Sequence, residues 1–239
     1  MGESNPSAQK MGLAVFVKTP GYTPAKTRLG KTIGQENAEQ FYLLALDCVR
    51  ENLNRLMRPD LGIQAYWSVV EGPDQCENYW TDFPVLHQRD GGLGDKLWGI
   101  DEQLHKRHQI SLFMGSDSPQ IPSELMAKFI NRCEQLDRDN GEKSWCLIAP
   151  TFDGGFWLMG KNKALPRSLW NSVEYSVETT TSEFIARLSA SDFLVEEFLP
   201  PQGDVDTEED LRLIIQNLPA EPTAAQARLA QWAGPFTKN

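Results

Sequence analysis

The 239-residue chain is 40% hydrophobic and 23% charged, a balance that supplies a packed core and excludes a disordered polypeptide. Its formal net charge of −10 repels nucleic acid and anionic membrane at long range, so neither is expected as a partner. The longest apolar stretches, such as Leu13–Val17 and Ile110–Met114, are strand-sized and far short of the roughly 20 residues of a membrane-spanning helix.

Residues 1–10 are polar and lack the apolar core of a secretory signal, so they read as a disordered leader, and the cytoplasm is the expected location. No Gly/Ser-rich or Pro-rich tract divides the remainder of the chain, so residues 11–218 are expected to form one domain and 219–239 a C-terminal tail or helix. Cys48, Cys76, Cys133 and Cys146 are widely spaced, without a Cys-x-x-Cys pair or histidines at zinc-ligand spacing, which points to reduced, buried thiols.

Met11 to Lys18 is apolar and stops at Thr19-Pro20-Gly21, the mark of a buried first strand. The apolar spacing from Gln35 to Arg58 predicts a long amphipathic helix. Strands follow over 63–70 and 84–88, then the turn Asp90-Gly91-Gly92 and a helix over 94–107. A strand over 111–115, a helix over 122–136 with proline in its first turn, and a strand over 145–150 continue the alternation. Beyond Asp153 the pattern predicts strands at 156–159 and 193–198 and helices at 182–188 and 208–216. The Ala-rich 222–232 reads as a helix packed on the body or on a second subunit of a homodimer. Strands alternating with helices specify an α/β fold of three layers, a mostly parallel sheet with helices on both faces.

In such sheets ligands sit beyond the carboxyl ends of the strands, and the loops placed there are rich in chemistry. From Ser4 to Gln35 there is no acid, while Lys10, Lys18, Lys26, Arg28 and Lys31 supply five bases; from Glu196 to Asp210 there are seven acids and no base. The loop from Lys18 to Leu29 is too rich in proline and glycine to read as regular structure. Lys26 and Arg28 flank Thr27, so cations and backbone donors can converge on a phosphate chain; a solvated basic loop is the plainer alternative.

Asp117 follows its strand directly and is succeeded by Ser118-Pro119, which turns a carboxylate into the crevice. Paired with Asp153, Asp204 or Asp206 it could hold Mg²⁺, which takes one or two protein carboxylates and fills the rest with phosphate and water. Each has a structural reading too: Asp117 and Asp206 as caps, Asp153-Gly154-Gly155 as a hairpin turn, and Asp204, Glu208 and Glu209 as caps and surface. Asp90 to Asp95 is a Gly-rich turn before a helix, able to receive a base or a phosphate. His105 and His108 have no third ligand nearby and are expected on an exposed polar face. His87 has no Ser or Cys partner and no Gly-x-Ser-x-Gly elbow occurs, which leaves direct in-line transfer.

Five segments carry a family resemblance in this order: Val17-Lys18-Thr19-Pro20 with Lys26-Thr27-Arg28-Leu29; Gly91-Gly92-Leu93-Gly94; Gly115-Ser116-Asp117-Ser118-Pro119; Asp153-Gly154-Gly155-Phe156-Trp157-Leu158; and Asp204 to Leu211. Over about Met11 to Leu218 the chain resembles a bacterial family of formerly unknown function with the glycosyltransferase-A (GT-A) fold. That family is related to 2-phospho-lactate guanylyltransferases and molybdenum-cofactor nucleotidyltransferases. The resemblance implies a Rossmann-related, GT-A-like sheet and a nucleotide-binding donor site of Lys18, Pro20, Lys26, Thr27, Arg28 and Ser116, in which Lys18, Lys26 and Arg28 contact the nucleotide's phosphates. It further implies that Gly91 and Gly92 line the base pocket and that Asp117 with Asp206 holds Mg²⁺ or Mn²⁺. Gly154, Gly155, Tyr175 and Ser176 fall on the acceptor side, with Tyr175-Ser176 where many relatives have Trp-Ser. One departure is Thr23, where relatives often carry glycine three residues before the lysine; here the glycine is Gly21.

The expectation is a metal-dependent transferase of glycosyltransferase or nucleotide-diphospho-sugar type, using a nucleotide or nucleotide-sugar donor and a small-molecule acceptor. Lys26 and Asp153 are the candidate catalytic residues, Asp153 as acceptor-orienting group or base. Two alternatives stand beside it. One is a guanylyltransferase-like enzyme that joins a nucleoside triphosphate to a phosphorylated acceptor and releases pyrophosphate. The other is a non-catalytic nucleotide-binding regulator.

Overall fold

The computed structural model describes residues 9–76 and 78–237. Among them seven strands form one sheet: β1 (Met11–Val17), β2 (Ile63–Val69), β3 (Val85–His87), β4 (Ile110–Met114), β5 (Trp145–Pro150), β6 (Phe156–Lys161) and β7 (Leu194–Glu197). Their order is β3-β2-β1-β4-β6-β5-β7. The pairings of β1 with β2 and β4, β2 with β3, and β5 with β7 are parallel, and β6 runs antiparallel to β4 and β5. Leu13 of β1 lies opposite Ala65 on one side and Leu112 on the other. The fold is α/β with a mostly parallel sheet, as the alternation predicts. β6 is reversed because the short stretch 151–155 separates it from β5, enough for a hairpin and too little for a crossover. That hairpin lies at the edge where β1 and β4 end.

Helices α1 (Thr27–Ile33), α2 (Gln35–Leu56), α3 (Pro73–Cys76), α4 (Leu93–His105), α5 (Ser123–Asn140), α6 (Arg167–Trp170), α7 (Thr180–Ser189), α8 (Glu208–Gln216) and α9 (Ala224–Thr237) complete the chain. On one face of the sheet, Leu46, Val49 and Leu53 of α2 and Phe129 and Ile130 of α5 meet Leu13, Val15 and Val17. On the other, Leu97, Ile100 and Leu104 of α4, Trp170 and Phe184 pack with Ala14, Phe113 and Ile148. The alternation of β1 between the two clusters is the period-2 rule at work.

A third apolar cluster adds a layer. Phe41, Ala38 and Ala45 on the outer side of α2 bury Leu29 and Ile33 of α1, Leu211 and Ile214 of α8, and Ala225 and Leu229 of α9. The Ala-rich segment therefore packs on the body. This cluster also corrects the expectation that the basic loop is irregular throughout: Thr27–Ile33 is helical, because burying Leu29 and Ile33 one turn apart stabilises a turn that local propensity would not. Residues 1–8 of the expected leader lie outside the described residues. Lys10, at its end, accepts backbone hydrogen bonds from Gln109 and Ile110 and pairs with Asp137.

Behind the sheet sits a wholly buried ion pair, Asp101 of α4 with Lys161 of β6, 2.5 Å apart. The other Asp101 oxygen accepts from the Leu165 N–H at 2.9 Å and the Trp170 indole at 3.0 Å, and the Lys161 ammonium also donates to the Lys163 carbonyl. Such bonds are what a charge in an apolar interior requires. His105, expected on an exposed face, is instead partly buried beside this pair, its Nε2 3.2 Å from the Lys161 nitrogen. His108 bonds the Tyr66 hydroxyl and the Gln9 carbonyl. Both imidazoles serve packing.

Lys161→Met leaves Asp101 buried without its counter-charge and is expected to cost about 3–5 kcal/mol of stability in urea denaturation. Burial, reinforced by the Lys161 charge, pushes His105 down to about 4 from its ordinary 6.5. The unfolded chain then binds the proton that the folded chain refuses, so stability declines as pH falls from about 6.5 to about 4. The urea midpoint of wild type should therefore fall relative to that of His105→Gln as pH is lowered through that window, and the difference should level off below it.

Candidate active site

Three strand-end loops and the segment before α8 are laced together at the carboxyl edge of the sheet. The Val205 N–H donates to the Asp117 carbonyl at 3.1 Å, and the Gln120 amide donates to the Gly203 carbonyl at 2.7 Å. The Gln202 N–H donates to the Pro150 carbonyl, and the Phe152 N–H to the Gln202 carbonyl. Thr207 caps α8 through a reciprocal capping box with Asp210. The cap at this helix is thus Thr207, and the Asp206 carboxylate is left to face Lys26.

Lys26 stands at the start of α1 in the left-handed region, φ 50°. A non-glycine residue there costs of order 1 kcal/mol or more and persists where its surroundings impose it. The imposed contacts are ionic: its nitrogen is 2.8 Å from Asp117 Oδ2 and 3.4 Å from Asp206 Oδ1, and Arg28 bonds the other Asp206 oxygen at 2.7 Å. Burial would push Lys26 toward neutrality; the Asp117 charge, helped by Asp206 and Asp204, outweighs it and lifts the ammonium above the ordinary lysine range. Burial opposes ionisation of Asp117 as well, and there the Lys26 charge and hydrogen bond win, holding it below the ordinary carboxylate range. Asp204 is different: burial, with Asp117, Asp153 and Asp206 resisting a further negative charge, raises it to about 7.

Three connected lobes open around these residues. A cleft of about 350 Å³ is lined by Lys18, Lys26, Thr27, Arg28, Lys96, Ser116, Asp117 and Asp206, with Val70, Gln88 and Leu93 also in its wall. A smaller lobe of about 220 Å³ shares Asp117 with it and runs past Asp153, Gly155, Phe156, Tyr175, Ser176 and Thr180. The largest, about 700 Å³, shares Arg28 and Asp206 with the first and Asp153 and Asp204 with the second.

The structure therefore brings together Lys18, Lys26, Thr27, Arg28, Ser116, Asp117 and Asp206. Pro20 lines a separate hollow on the other side of its loop. Gly91 and Gly92 sit in the turn before α4, and the cleft wall there is made by the following Leu93 and Lys96. Gly154 adopts φ 89°, and a Cβ on it would lie 2.1 Å from the Glu178 carbonyl oxygen, so its role is to let the hairpin close on that backbone. Tyr175 donates its hydroxyl to the Trp170 carbonyl at 2.6 Å and offers the lobe its ring. Asp153 Oδ1 is engaged by the Thr151 hydroxyl and the Gly155 N–H.

Sequence reasoning passed over Tyr42, Glu71 and Lys96 and set Asp204 aside as cap or surface. Tyr42, spaced as a core residue of α2, clamps the start of the basic loop: its hydroxyl accepts from the Lys18 N–H at 2.8 Å and donates to the Lys18 carbonyl at 2.9 Å. Glu71, just past β2, accepts from both the N–H and the hydroxyl of Thr19 at 2.8 Å. Lys96 adds a cation to the first cleft, and Asp204, expected as surface or cap, lies between the other two lobes. The Thr207-x-x-Asp210 spacing was the legible signal that Asp206 is spared from capping.

Asp117 and Asp206 reach the same ammonium from two sides, so one small cation is within reach of both. Among the described residues no group of three or more His, Cys, Asp or Glu side chains is gathered to hold a metal. A carboxylate pair opening onto a phosphate-sized cationic cleft is the donor set of Mg²⁺ or Mn²⁺, whose remaining positions go to water and phosphate, and unlike that of zinc. The residues present fit such an ion.

Residues 62–177 match the family described as "Uncharacterized protein conserved in bacteria (DUF2064)". No curated protein sequence matches the chain. Among solved structures, a protein from Desulfovibrio desulfuricans G20 assigned to the nucleotide-diphospho-sugar transferases superposes with a TM-score of 0.78 at 22% identity, covering 95% of this chain and 96% of that one. A CMP:2-keto-3-deoxy-manno-octonic acid synthetase in complex with CTP superposes with a TM-score of 0.50 at 12% identity, over 93% of this chain and 99% of the other. These likenesses establish the GT-A-like fold.

The Tyr42 clamp is testable by itself. Tyr42→Phe removes both hydrogen bonds to Lys18 and is expected to lower stability by about 1–2 kcal/mol and to speed amide exchange at Lys18 and Thr19. Unchanged exchange at those amides would show that the loop is fixed by other contacts.

Proposed function

We propose that this chain, whose residues 62–177 match the DUF2064 family, is a transferase that uses a nucleotide-activated donor with a divalent metal. The observation that supports this reading is one juxtaposition: Lys18, Lys26, Arg28 and Lys96 line a single cleft that also contains the paired carboxylates Asp117 and Asp206. Four cations around one space favour a polyphosphate, and two carboxylates meeting on one point favour the ion that accompanies it.

In this reading the base lies toward Val70, Gln88 and Leu93, and the phosphates lie along Lys18, Thr27, Arg28 and Ser116. A divalent ion bound by Asp117 and Asp206 would supply charge neutralisation for the phosphate oxygens. With those carboxylates satisfied, the Lys26 ammonium turns to the phosphates and stabilises the charge that grows on the departing one. The small lobe beside Tyr175 and Ser176 is wide enough for a single sugar ring and takes the transferred group. That dedicated lobe favours glycosyl transfer from a nucleotide-diphospho-sugar. Nucleotidyl transfer is the second reading, favoured by a cation count that suits a triphosphate. Product analysis separates them, since the first releases a nucleoside diphosphate and the second pyrophosphate.

A thermal-shift screen of nucleotide sugars and nucleoside triphosphates, with and without Mn²⁺, tests the proposal, because a ligand of the native state raises the melting temperature by mass action. A shift that needs both nucleotide and metal is expected. Asp117→Asn should abolish the metal dependence, and Lys26→Ala should weaken nucleotide binding tenfold or more, about 1.4 kcal/mol, while leaving the nucleoside unaffected. Equal losses for nucleoside and nucleotide would remove Lys26 from the phosphates.

A further inference from the structure

The largest lobe borders the donor cleft at Arg28 and Asp206, and the rest of its walls differ from those of the other two. Phe152, at the tip of the β5–β6 hairpin, is 76% exposed, and Leu213 on α8 is 51% exposed; both line the lobe together with Pro200 and Pro201. They leave apolar surface open to a ligand beside the cleft. Gln120, 4% exposed, lines the same lobe; its amide nitrogen is used by Gly203, while its Oε1 is buried and has no hydrogen-bond partner among the described residues.

The charge in this lobe is lopsided. Asp153, Asp204 and Asp206 face it, and its base, Arg28, is already paired with Asp206 at 2.7 Å. A phosphate or carboxylate entering here would meet net repulsion.

We infer that this lobe is the acceptor site and that the acceptor is an alcohol or amine with a flat apolar body and no anionic group. This rests on the transferase reading. The body lies on Phe152 and the prolines, and the nucleophilic hydroxyl is presented at the Asp153 and Asp204 border with the sugar lobe. In glycosyl transfer the acceptor oxygen forms a bond to the anomeric carbon as that carbon's bond to the diphosphate breaks. The diphosphate leaves with the bonding electron pair, and the hydroxyl proton passes to Asp153 Oδ2, the oxygen not held by Thr151 and Gly155. A phosphorylated acceptor, which the guanylyltransferase-like alternative requires, does not suit this lobe.

The test uses saturation-transfer NMR on the full chain with 2-phenylethanol, 2-phenylethylamine and phenyl phosphate as probes, for wild type, Phe152→Ala and Phe152→Tyr. The alcohol and the amine are expected to bind, to weaken about fivefold or more in Phe152→Ala and to recover in Phe152→Tyr, as loss and return of an aromatic contact of about 1 kcal/mol would produce. Phenyl phosphate is expected to show no dependence on Phe152. Phenyl phosphate binding with the same dependence, or no probe depending on Phe152, overturns the inference. A parallel nucleoside diphosphate titration with Mg²⁺ keeps the two claims apart. Nucleotide binding without Phe152-dependent probe binding defeats this inference alone; probe binding without any nucleotide binding defeats the donor reading and leaves the lobe as a site for this class of ligand.

Discussion

The ammonium of Lys26, held between Asp117 and Asp206, is the interaction on which the arrangement of the site depends. Each partner comes from a different part of the chain: Lys26 from the loop after β1, Asp117 from the loop after β4, Asp206 from the segment that opens α8. Without the cation, two partly buried carboxylates and the neighbouring Asp204 would repel one another. Without the carboxylates, an ammonium with 9% side-chain exposure would be stranded. The cluster fixes the positions of the strand-end loops relative to one another around the cleft.

The extra apolar layer explains how that register is maintained. α1 and α8 both pack against the outer side of α2, with α9 closing the cluster. Arg28 and Asp206, which flank the site, are thereby carried on elements that share one hydrophobic core. Backbone bonds from Val205 to Asp117 and from Phe152 to Gln202 tie the same segment to the ends of β4 and β5. The site's geometry is thus underwritten by packing some distance from the chemistry, and the ligand-facing residues can carry strain, as Lys26 does with its positive φ.

Much of the fold is legible in the sequence because buried parallel strands and amphipathic helices write strong periodic signals. The elements that escape are decided by tertiary contact. Thr27–Ile33 reads as loop because proline and glycine precede it and only Leu29 and Ile33 reveal its buried side. For the site, Lys26, Arg28, Asp117 and Asp206 stand out as charges at strand ends, and the structure gathers them into one cleft. Tyr42 does not, since a tyrosine at core spacing on a helix reads as packing until its hydroxyl is seen on the Lys18 backbone. Gly91, Gly92 and Pro20 belong to motifs that shape the loops around the cleft, while the walls are made by neighbours such as Leu93 and Lys96. His105 reads as a surface residue because its partners, Asp101 and Lys161, are separated by 60 residues and meet only across the sheet.

The three lobes differ in character: a cationic cleft, an aromatic-walled lobe and an acidic, apolar-rimmed lobe meet at Asp117, Asp204 and Asp206. The most direct check is a crystal grown with Mn²⁺ and a nucleoside diphosphate, with manganese located by anomalous scattering. The account predicts a manganese peak bound by Asp117 and Asp206, with the Lys26 nitrogen moved onto a phosphate oxygen. A nucleotide bound elsewhere, or a manganese peak with Lys26 still bridging the two aspartates, would contradict it.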